Sequence, residues 1–338
     1  MTPAIHAYAA HAASGPLQPF DYDPGPLPPE QVEINVEYCG VCHSDLSMLD
    51  NEWRRTAYPF VPGHEVVGTI RALGGQTKGL LIGQRVGLGW RAGSCMCCAQ
   101  CISGEPHLCR HGEETIVGRH GGFADRVRCH WNWAIPLPES VPADSAGPLF
   151  CGGITVFTPI FELGVKPTHR VGVIGIGGLG HLAIQFLNKW GCEVTAFTSS
   201  AAKRDEALQL GAHHVVASTD KAALKPLANT LDFILVTSNV QLDWPAYMGT
   251  LAPHGRLHFV GAIPGPLNIS AGQLMTGQRS VSASPIGSPA TIATMLEFCA
   301  RHGIAPQVEM FPLSQVNEAL AHLRAGKARY RIVLRKDR

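Results

Sequence analysis

The sequence predicts an α/β chain of two domains: a mostly β, barrel-like domain and a doubly wound parallel sheet. Three observations carry this reading. At 338 residues the chain is longer than one hydrophobic core usually serves. As far as about residue 150 it reads as short strands broken by irregular loops rich in Gly and Pro, and from Val171 onward strands and helices alternate regularly. The expected division puts residues 1–150 and 288–338 in the first domain and 151–287 in the second.

Charge narrows the partners. Lys and Arg number 27 against 26 Asp and Glu, a formal net charge of +1 without a basic block or acidic tail, so nothing favours nucleic acid or an anionic membrane surface. A small-molecule substrate is expected instead. The start, Met1-Thr-Pro-Ala-Ile-His-Ala-Tyr8, has no cationic segment followed by an apolar one, and no apolar run approaches the roughly 18 residues of a spanning helix. A cytoplasmic protein is therefore expected. Eleven cysteines in such a chain point to metal or redox chemistry rather than disulfides.

In the first domain, Pro24-Gly-Pro-Leu-Pro-Pro29 punctuates a turn, and Gln31-Val-Glu-Ile-Asn-Val-Glu-Tyr38 alternates polar and apolar side chains as a half-buried strand does. That strand delivers Cys39-Gly-Val-Cys42-His-Ser44-Asp45 and a short helical stretch, followed by Val61-Pro-Gly-His64-Glu65-Val-Val-Gly68. Short strands run on to Val86, and β-rich sequence resumes at 121–128.

Between those strands Cys95, Cys98, Cys101 and Cys109 stand at C-x2-C-x2-C-x7-C. Spacing of two lets successive thiolates turn onto one ion, and four sulfurs complete the closed tetrahedral shell of a structural Zn²⁺. Cys97 is a spare that fits the knuckle poorly. Free thiols and an iron–sulfur cluster are the alternatives for such a run. A second set, Cys42, His64 and Cys151, would offer two thiolates and an imidazole and leave a coordination position open. Spacing alone argues little for it, because single Cys and His residues are more often core.

The second domain opens on Val171-Gly-Val-Ile-Gly175-Ile-Gly177-Gly178-Leu179-Gly180 and continues as an amphipathic helix to Trp190. Gly175, Gly177 and Gly180 have the G-x-G-x-x-G spacing that allows a tight turn, backbone approach to a pyrophosphate and close helix packing, the Rossmann fingerprint. Strands at 191–197, 214–216, 231–237, 255–261 and 281–284, with a helix over 202–211, complete the alternation. The chain then returns to the first domain through a helix over 289–302 and closing strands ending at 329–334. An NAD site would carry Asp or Glu at the end of the second strand. Here stand Thr198-Ser199-Ser200-Ala-Ala-Lys203-Arg204, while Glu193 is too early and Asp205 lies in the next helix. Hydroxyls and two cations suit a 2′-phosphate, so NADP(H) is the cofactor expected.

Cys39-Gly-Val-Cys42-His-Ser-Asp45, Gly63-His-Glu65, the cysteine knuckle, Cys151-Gly-Gly-Ile-Thr155 and Gly175-Ile-Gly-Gly-Leu-Gly180 follow in the order seen in zinc-dependent medium-chain alcohol dehydrogenases, which the chain resembles over essentially its whole length. Tyr22-Asp-Pro-Gly-Pro26, Asp50-Asn-Glu-Trp53, Ala146-Gly-Pro-Leu149 and Gly326-Lys-Ala-Arg-Tyr-Arg331 make it most similar to the cinnamyl-alcohol-dehydrogenase-like branch and its bacterial broad-specificity NADPH-dependent aldehyde reductases. The resemblance implies a GroES-like catalytic domain beside the Rossmann domain, two Zn²⁺ per chain, and reversible reduction of aldehydes to primary alcohols.

It further implies catalytic-zinc ligation by Cys42, His64 and Cys151, with Glu65 as a neighbour or transient ligand, Asp45 orienting His64, Ser44 as the first proton relay, and Thr155 among the cofactor contacts. One departure stands out: where plant members carry a relay histidine five residues after the first zinc cysteine, this chain has Ser47, leaving Glu52 or solvent for the proton. Trp53, Trp90 and Ile286 fall in segments expected to line the substrate pocket, and homodimer pairing is expected around 267–284. The competing readings are an NAD-linked polyol or secondary-alcohol dehydrogenase, disfavoured by Cys151 and the missing acid, and a non-catalytic zinc and nucleotide redox sensor.

Overall fold

The computed structural model describes residues 4–337, which form two compact units, one of residues 4–151 with 287–337 and one of Gly152–Ile286. Among the described residues no helix is long and apolar enough to cross a membrane.

The first unit is built on the strand Gln31–Val41, whose 11 residues serve three partners. Val66–Leu73 pairs antiparallel along one edge, while Arg126–His130 and Arg331–Arg335 share the other, opposite Gln31 to Asn35 and Tyr38 to Val41 respectively. Arg85–Leu88 and Ile135–Pro136 extend the sheet on one side and Val308–Pro312 on the other. The strand path does not return on itself, so the barrel-like expectation becomes an open, seven-stranded sheet among the described residues. Strands of only two to five residues at its margins are too short to carry the pairing around to closure.

Clean alternation fails in the long strand at Glu33, which is buried beside Val32 and Ile34, and again from Tyr38 onward. Arg128 and Arg126 meet the Glu33 carboxylate at 2.9 and 3.3 Å, and the buried charge is thereby paired. The C-terminal return enters by the helix Pro289–His302, capped by Ser288 Oγ accepting from the Thr291 amide at 3.1 Å and ended by Gly303 at φ 64°.

The second unit is a six-stranded sheet in which every neighbouring pair is parallel. Its order is His214–Ala217, Glu193–Thr198, Arg170–Ile174, Leu231–Val236, Leu251–Phe259, Ser280–Ala283, that is 3-2-1-4-5-6 in chain order. This is the doubly wound arrangement, with its switch point between the first and fourth strands. The strand expected from 255 begins earlier, at Leu251, with a register shift opposite Leu231 and Phe233. The helix expected over 202–211 is a turn of 3-10 helix, Ala201–Lys203, followed by Arg204–Gln209.

Candidate active site

Cys42 leaves the long strand as the N-cap of the helix His43–Leu49, and that helix carries Ser44 and Asp45 in its first turn. Asp45 is fully buried, and its two oxygens accept three hydrogen bonds: from the Cys42 amide at 2.9 Å, the Gly63 amide at 2.9 Å and the His64 ring, Nδ1 to Oδ1, at 3.0 Å. One carboxylate therefore closes the helix cap and fixes the loop that brings in His64. Gly63 sits at φ 101°, where a Cβ would lie 2.6 Å from the Phe123 amide nitrogen, so the loop admits only glycine. With Nδ1–H donated to Asp45, the lone pair of Nε2 faces Cys151 Sγ at 3.3 Å.

Cys42 Sγ lies 3.8 Å from Cys151 Sγ, and Cys42, His64, Glu65 and Cys151 each offer a donor atom within 4.8 Å of all the others. A tetrahedral zinc with bonds of about 2.3 Å to sulfur and 2.0–2.1 Å to nitrogen separates its donors by roughly 3.6–3.8 Å; the sulfur pair matches this at 3.8 Å, the nitrogen–sulfur pair is slightly closer at 3.3 Å, and the donor types suit that ion. Burial raises the Glu65 carboxyl to about 7, against the Arg331 guanidinium that pairs with Oε1. Its Oε2 has no hydrogen-bond partner, an orphan acceptor beside two sulfurs and a ring nitrogen. Gly40 makes room for it, since a Cβ there would come within 2.0 Å of Oε2. The hydrogen bond from Cys151 holds the Cys42 thiol well below the usual range despite burial, and the same contact pushes Cys151 up. For His64, burial opposes the charge, but Asp45 outweighs it and raises the imidazole well above its ordinary value.

Trp90 sets its ring against His64 at 5.0 Å and 83°, and Trp53, 42% exposed, meets Trp90 edge-on at 5.9 Å. Two indoles thus wall one side of the site. Ser44 is half-buried, Ser47 buried, and Glu52 exposed with its amide on the Ser47 carbonyl at 2.9 Å. Ile286 and Thr155 belong to the second unit, where both are buried.

The other cysteine group brings Cys95, Cys98, Cys101 and Cys109 together, with sulfur separations of 3.5 Å for 95–109, 3.8 Å for 98–109 and 3.9 Å for 95–101. These are tetrahedral-shell distances, and Cys97 stands outside the set, exposed. Met96 at φ 58° turns the chain so that the amides of Cys97 and Cys98 donate to Cys95 Sγ, which lowers that thiol to about 6.

In the second unit Gly175 lies at φ 95°, and a Cβ on Gly180 would fall 1.9 Å from the Gly175 carbonyl oxygen, the close helix-to-strand packing the motif requires. A Cβ on Gly177 would meet nothing within 4 Å, so the turn is open there, with Gly178 and Leu179 half-buried beside it. Lys203 Nζ donates to the Ile176 carbonyl at 2.6 Å and Arg204 to the Val215 carbonyl at 3.3 Å, whereas Ser199 is exposed and Ser200 half-buried at the strand end. Glu193 is occupied by His214 at 2.7 Å.

Two residues of these sites were given no role by the sequence reading. Arg331, 266 positions from Glu65, stands in a segment that carried the family resemblance, with nothing local to tie it to Glu65. His181, fully buried with Nδ1 3.0 Å from the Gly177 carbonyl, reads in sequence as one more polar residue of the helix.

Residues 28–139 match the family model described as the alcohol dehydrogenase GroES-like domain, and residues 178–301 that of the zinc-binding dehydrogenases. The chain belongs to the zinc-dependent medium-chain alcohol dehydrogenases, enzymes that interconvert aldehydes and alcohols. Its relatives include the aldehyde reductase AdhA of Synechocystis sp. (strain ATCC 27184 / PCC 6803 / Kazusa), 59% identical over 330 residues and 98% of each chain. Among solved structures it is similar to the cinnamyl alcohol dehydrogenase SbCAD4 of Sorghum bicolor (TM-score 0.93, 36% identity, 98% of each chain) and the CAD of Helicobacter pylori complexed with NADP(H) (TM-score 0.90, 29% identity, 99% of each chain).

Proposed function

We propose that the chain is a broad-range aldehyde reductase, reversible to alcohol oxidation, that uses NADPH and holds one catalytic and one structural zinc. The observation that carries it is the convergence of Cys42 Sγ, His64 Nε2 and Cys151 Sγ, with the sulfurs 3.8 Å apart and the ring nitrogen 3.3 Å from Cys151 Sγ. When bound, zinc supplies a Lewis acid for the carbonyl oxygen and the reduced nicotinamide supplies the hydride. The remaining work falls to side chains of the protein. Asp45 keeps the proton on Nδ1 of His64 and thereby the lone pair on Nε2. Arg331 restrains the Glu65 carboxylate, so that it stands by the ligands as a neighbour that can exchange with substrate. Ser44, in the turn that carries Cys42, hands a proton to the substrate oxygen as the alcohol forms. Trp53 and Trp90 offer an aromatic wall suited to medium-sized and aromatic aldehydes and poor for sugars.

The unit of 1–150 and 288–338 is the catalytic domain in this reading and 151–287 the NADP domain. The open turn at Gly177, with Gly175, Gly178, Leu179 and Gly180, cradles the pyrophosphate. Ser199, Ser200, Lys203 and Arg204 take the 2′-phosphate, and Thr155 and Ile286 serve the nicotinamide end. The NADP(H) complex of the Helicobacter pylori relative and the name of the Synechocystis relative support it. Pairing of two chains through the edge strand Ser280–Ala283 would make the homodimer, and eleven free thiols suit a reducing cytoplasm. The experiment is an NADPH-oxidation screen over aliphatic, aromatic and sugar aldehydes, repeated with NADH. Turnover of aromatic and aliphatic aldehydes with NADPH is expected; a preference for NADH or for sugars would reject the reading.

A further inference from the structure

We infer that His181 and Thr237 are positioning residues of the glycine turn: together they hold its carbonyl groups from behind, so that the Gly178 amide stays turned toward the pyrophosphate. This role rests on the proposed reading of the turn as the NADPH site. Both residues belong to the second unit, as does the turn.

The turn has little of its own to fix it. Between the strand Arg170–Ile174 and the helix Gly180–Trp190 the chain runs Gly175-Ile-Gly177-Gly178-Leu179. Without a Cβ on either side, the peptide joining Gly177 to Gly178 can turn over at little steric cost. A peptide is planar and trans, so its carbonyl and its N–H point in opposite directions. The direction of the Gly177 carbonyl therefore decides what a phosphate on the other side meets. The Gly178 N–H attracts an anion, and a carbonyl oxygen in its place repels one.

His181 sets that direction. It is the second residue of the helix and fully buried, and its ring Nδ1 lies 3.0 Å from the Gly177 carbonyl oxygen, which also accepts from the His181 amide at 3.1 Å. A carbonyl oxygen only accepts, so Nδ1 carries the proton. Two donors from one residue occupy both lone pairs of that oxygen, and turning the peptide over would break both bonds. Thr237 does the same work where the turn begins. Standing just past the strand Leu231–Val236, it places Oγ1 3.0 Å from both the Ile174 and the Gly175 carbonyl oxygens, while its amide donates to Ile174 at 3.0 Å. The strands of Ile174 and Thr237 flank the switch point, so this hydroxyl ties the turn to the strand across it. Lys203 Nζ reaches the Ile176 carbonyl at 2.6 Å, but in the proposed reading that ammonium takes the 2′-phosphate, which leaves the hold to His181 and Thr237.

The test uses two pairs of variants in the zinc-loaded protein. His181→Phe keeps a buried ring and removes the donor, whereas His181→Asn keeps a donor in the place of Nδ1; Thr237→Val and Thr237→Ser form the second pair. Dissociation constants are measured for NADPH, for NADH and for adenosine 2′-monophosphate, which has the 2′-phosphate and no pyrophosphate. We expect His181→Phe and Thr237→Val each to weaken both dinucleotides about tenfold and to bind the mononucleotide as the unmodified protein does, with Asn and Ser recovering most of the loss. A role in folding alone would weaken all three ligands together. If His181→Phe does not fold, the Thr237 pair decides the outcome. Undiminished dinucleotide binding in the folded variants, equal loss of the mononucleotide, or a loss that Asn and Ser share in full would overturn the inference while the unmodified protein still binds NADPH. Unmodified protein that binds no NADPH would reject the NADPH reading itself.

Discussion

The Nδ1 of His64 and the Oδ1 of Asp45 lie 3.0 Å apart with both side chains wholly excluded from solvent. Because Asp45 also accepts from the amides of Cys42 and Gly63, a single carboxylate sets the position of two proposed zinc ligands and the tautomer of one. Asp45→Asn keeps the shape but can present N–H groups to three donors. Zinc affinity at the catalytic site should fall about 10–100-fold, with kcat falling and the four-cysteine zinc retained. Chelator competition checks this; undiminished affinity would show that Asp45 merely caps the helix.

The glycine turn separates binding from folding. Gly177 has open space around its missing Cβ, so Gly177→Ala should leave the Tm within about 2 °C while raising the NADPH KM roughly tenfold, if the pyrophosphate approaches there as proposed. Gly180→Ala drives a methyl into the Gly175 carbonyl and should cost about 1–3 kcal/mol of stability. Thermal melts and cofactor titrations of the two variants distinguish these outcomes, and equal effects in both would contradict the division.

In the proposed reading coenzyme choice turns on the strand end at Thr198. Lys203→Ala and Arg204→Ala should each raise the NADPH KM by about tenfold and leave that for NADH nearly unchanged, as expected when a charge-assisted bond to a 2′-phosphate is lost. Ser199→Asp, which places an acid where an NAD enzyme has one, should reverse the preference. Parallel loss with both coenzymes would assign the two cations to holding the Ile176 and Val215 carbonyls instead.

How far the sequence disclosed these features depended on the range of each interaction. The four-cysteine run and the glycine turn are local, so spacing alone exposes them. Cys42 and Cys151 are 109 residues apart and became legible as one group only through the motifs around each. Arg331 was hidden because pairing of its strand with Gln31–Val41, rather than anything near it in sequence, delivers it to Glu65. Period two implied that Glu33 faces water, yet the arginines of the neighbouring strand pull it inward. The open edges of the first sheet were likewise beyond a reading of strand content, which counts strands without saying which edges remain unpaired.

His258, in the second unit, provides a pH dependence of its own. Burial, helped by Arg256, lowers its imidazole to about 4, and its nitrogens lie 2.8 and 2.9 Å from the hydroxyls of Ser282 and Ser284. The unfolded chain, with a pKa near 6.5, binds the proton more readily, so stability is full above that value and drains away as the pH falls toward 4. Between pH 7 and pH 5 the loss from this group is about 2 kcal/mol. Urea unfolding of His258→Phe should show a shallower decline over that interval, by about this amount; parallel declines would mean that the ring titrates freely.

The central claim is that Cys42, His64 and Cys151 hold one zinc ion. Anomalous diffraction at the zinc edge from crystals of the zinc-loaded protein addresses it directly. The account predicts two peaks per chain, one among Cys95, Cys98, Cys101 and Cys109 and one at about 2.3 Å from the sulfurs of Cys42 and Cys151 and about 2.0 Å from His64 Nε2. A fully loaded crystal with density at the cysteine lobe and none between Cys42, His64 and Cys151 would contradict it.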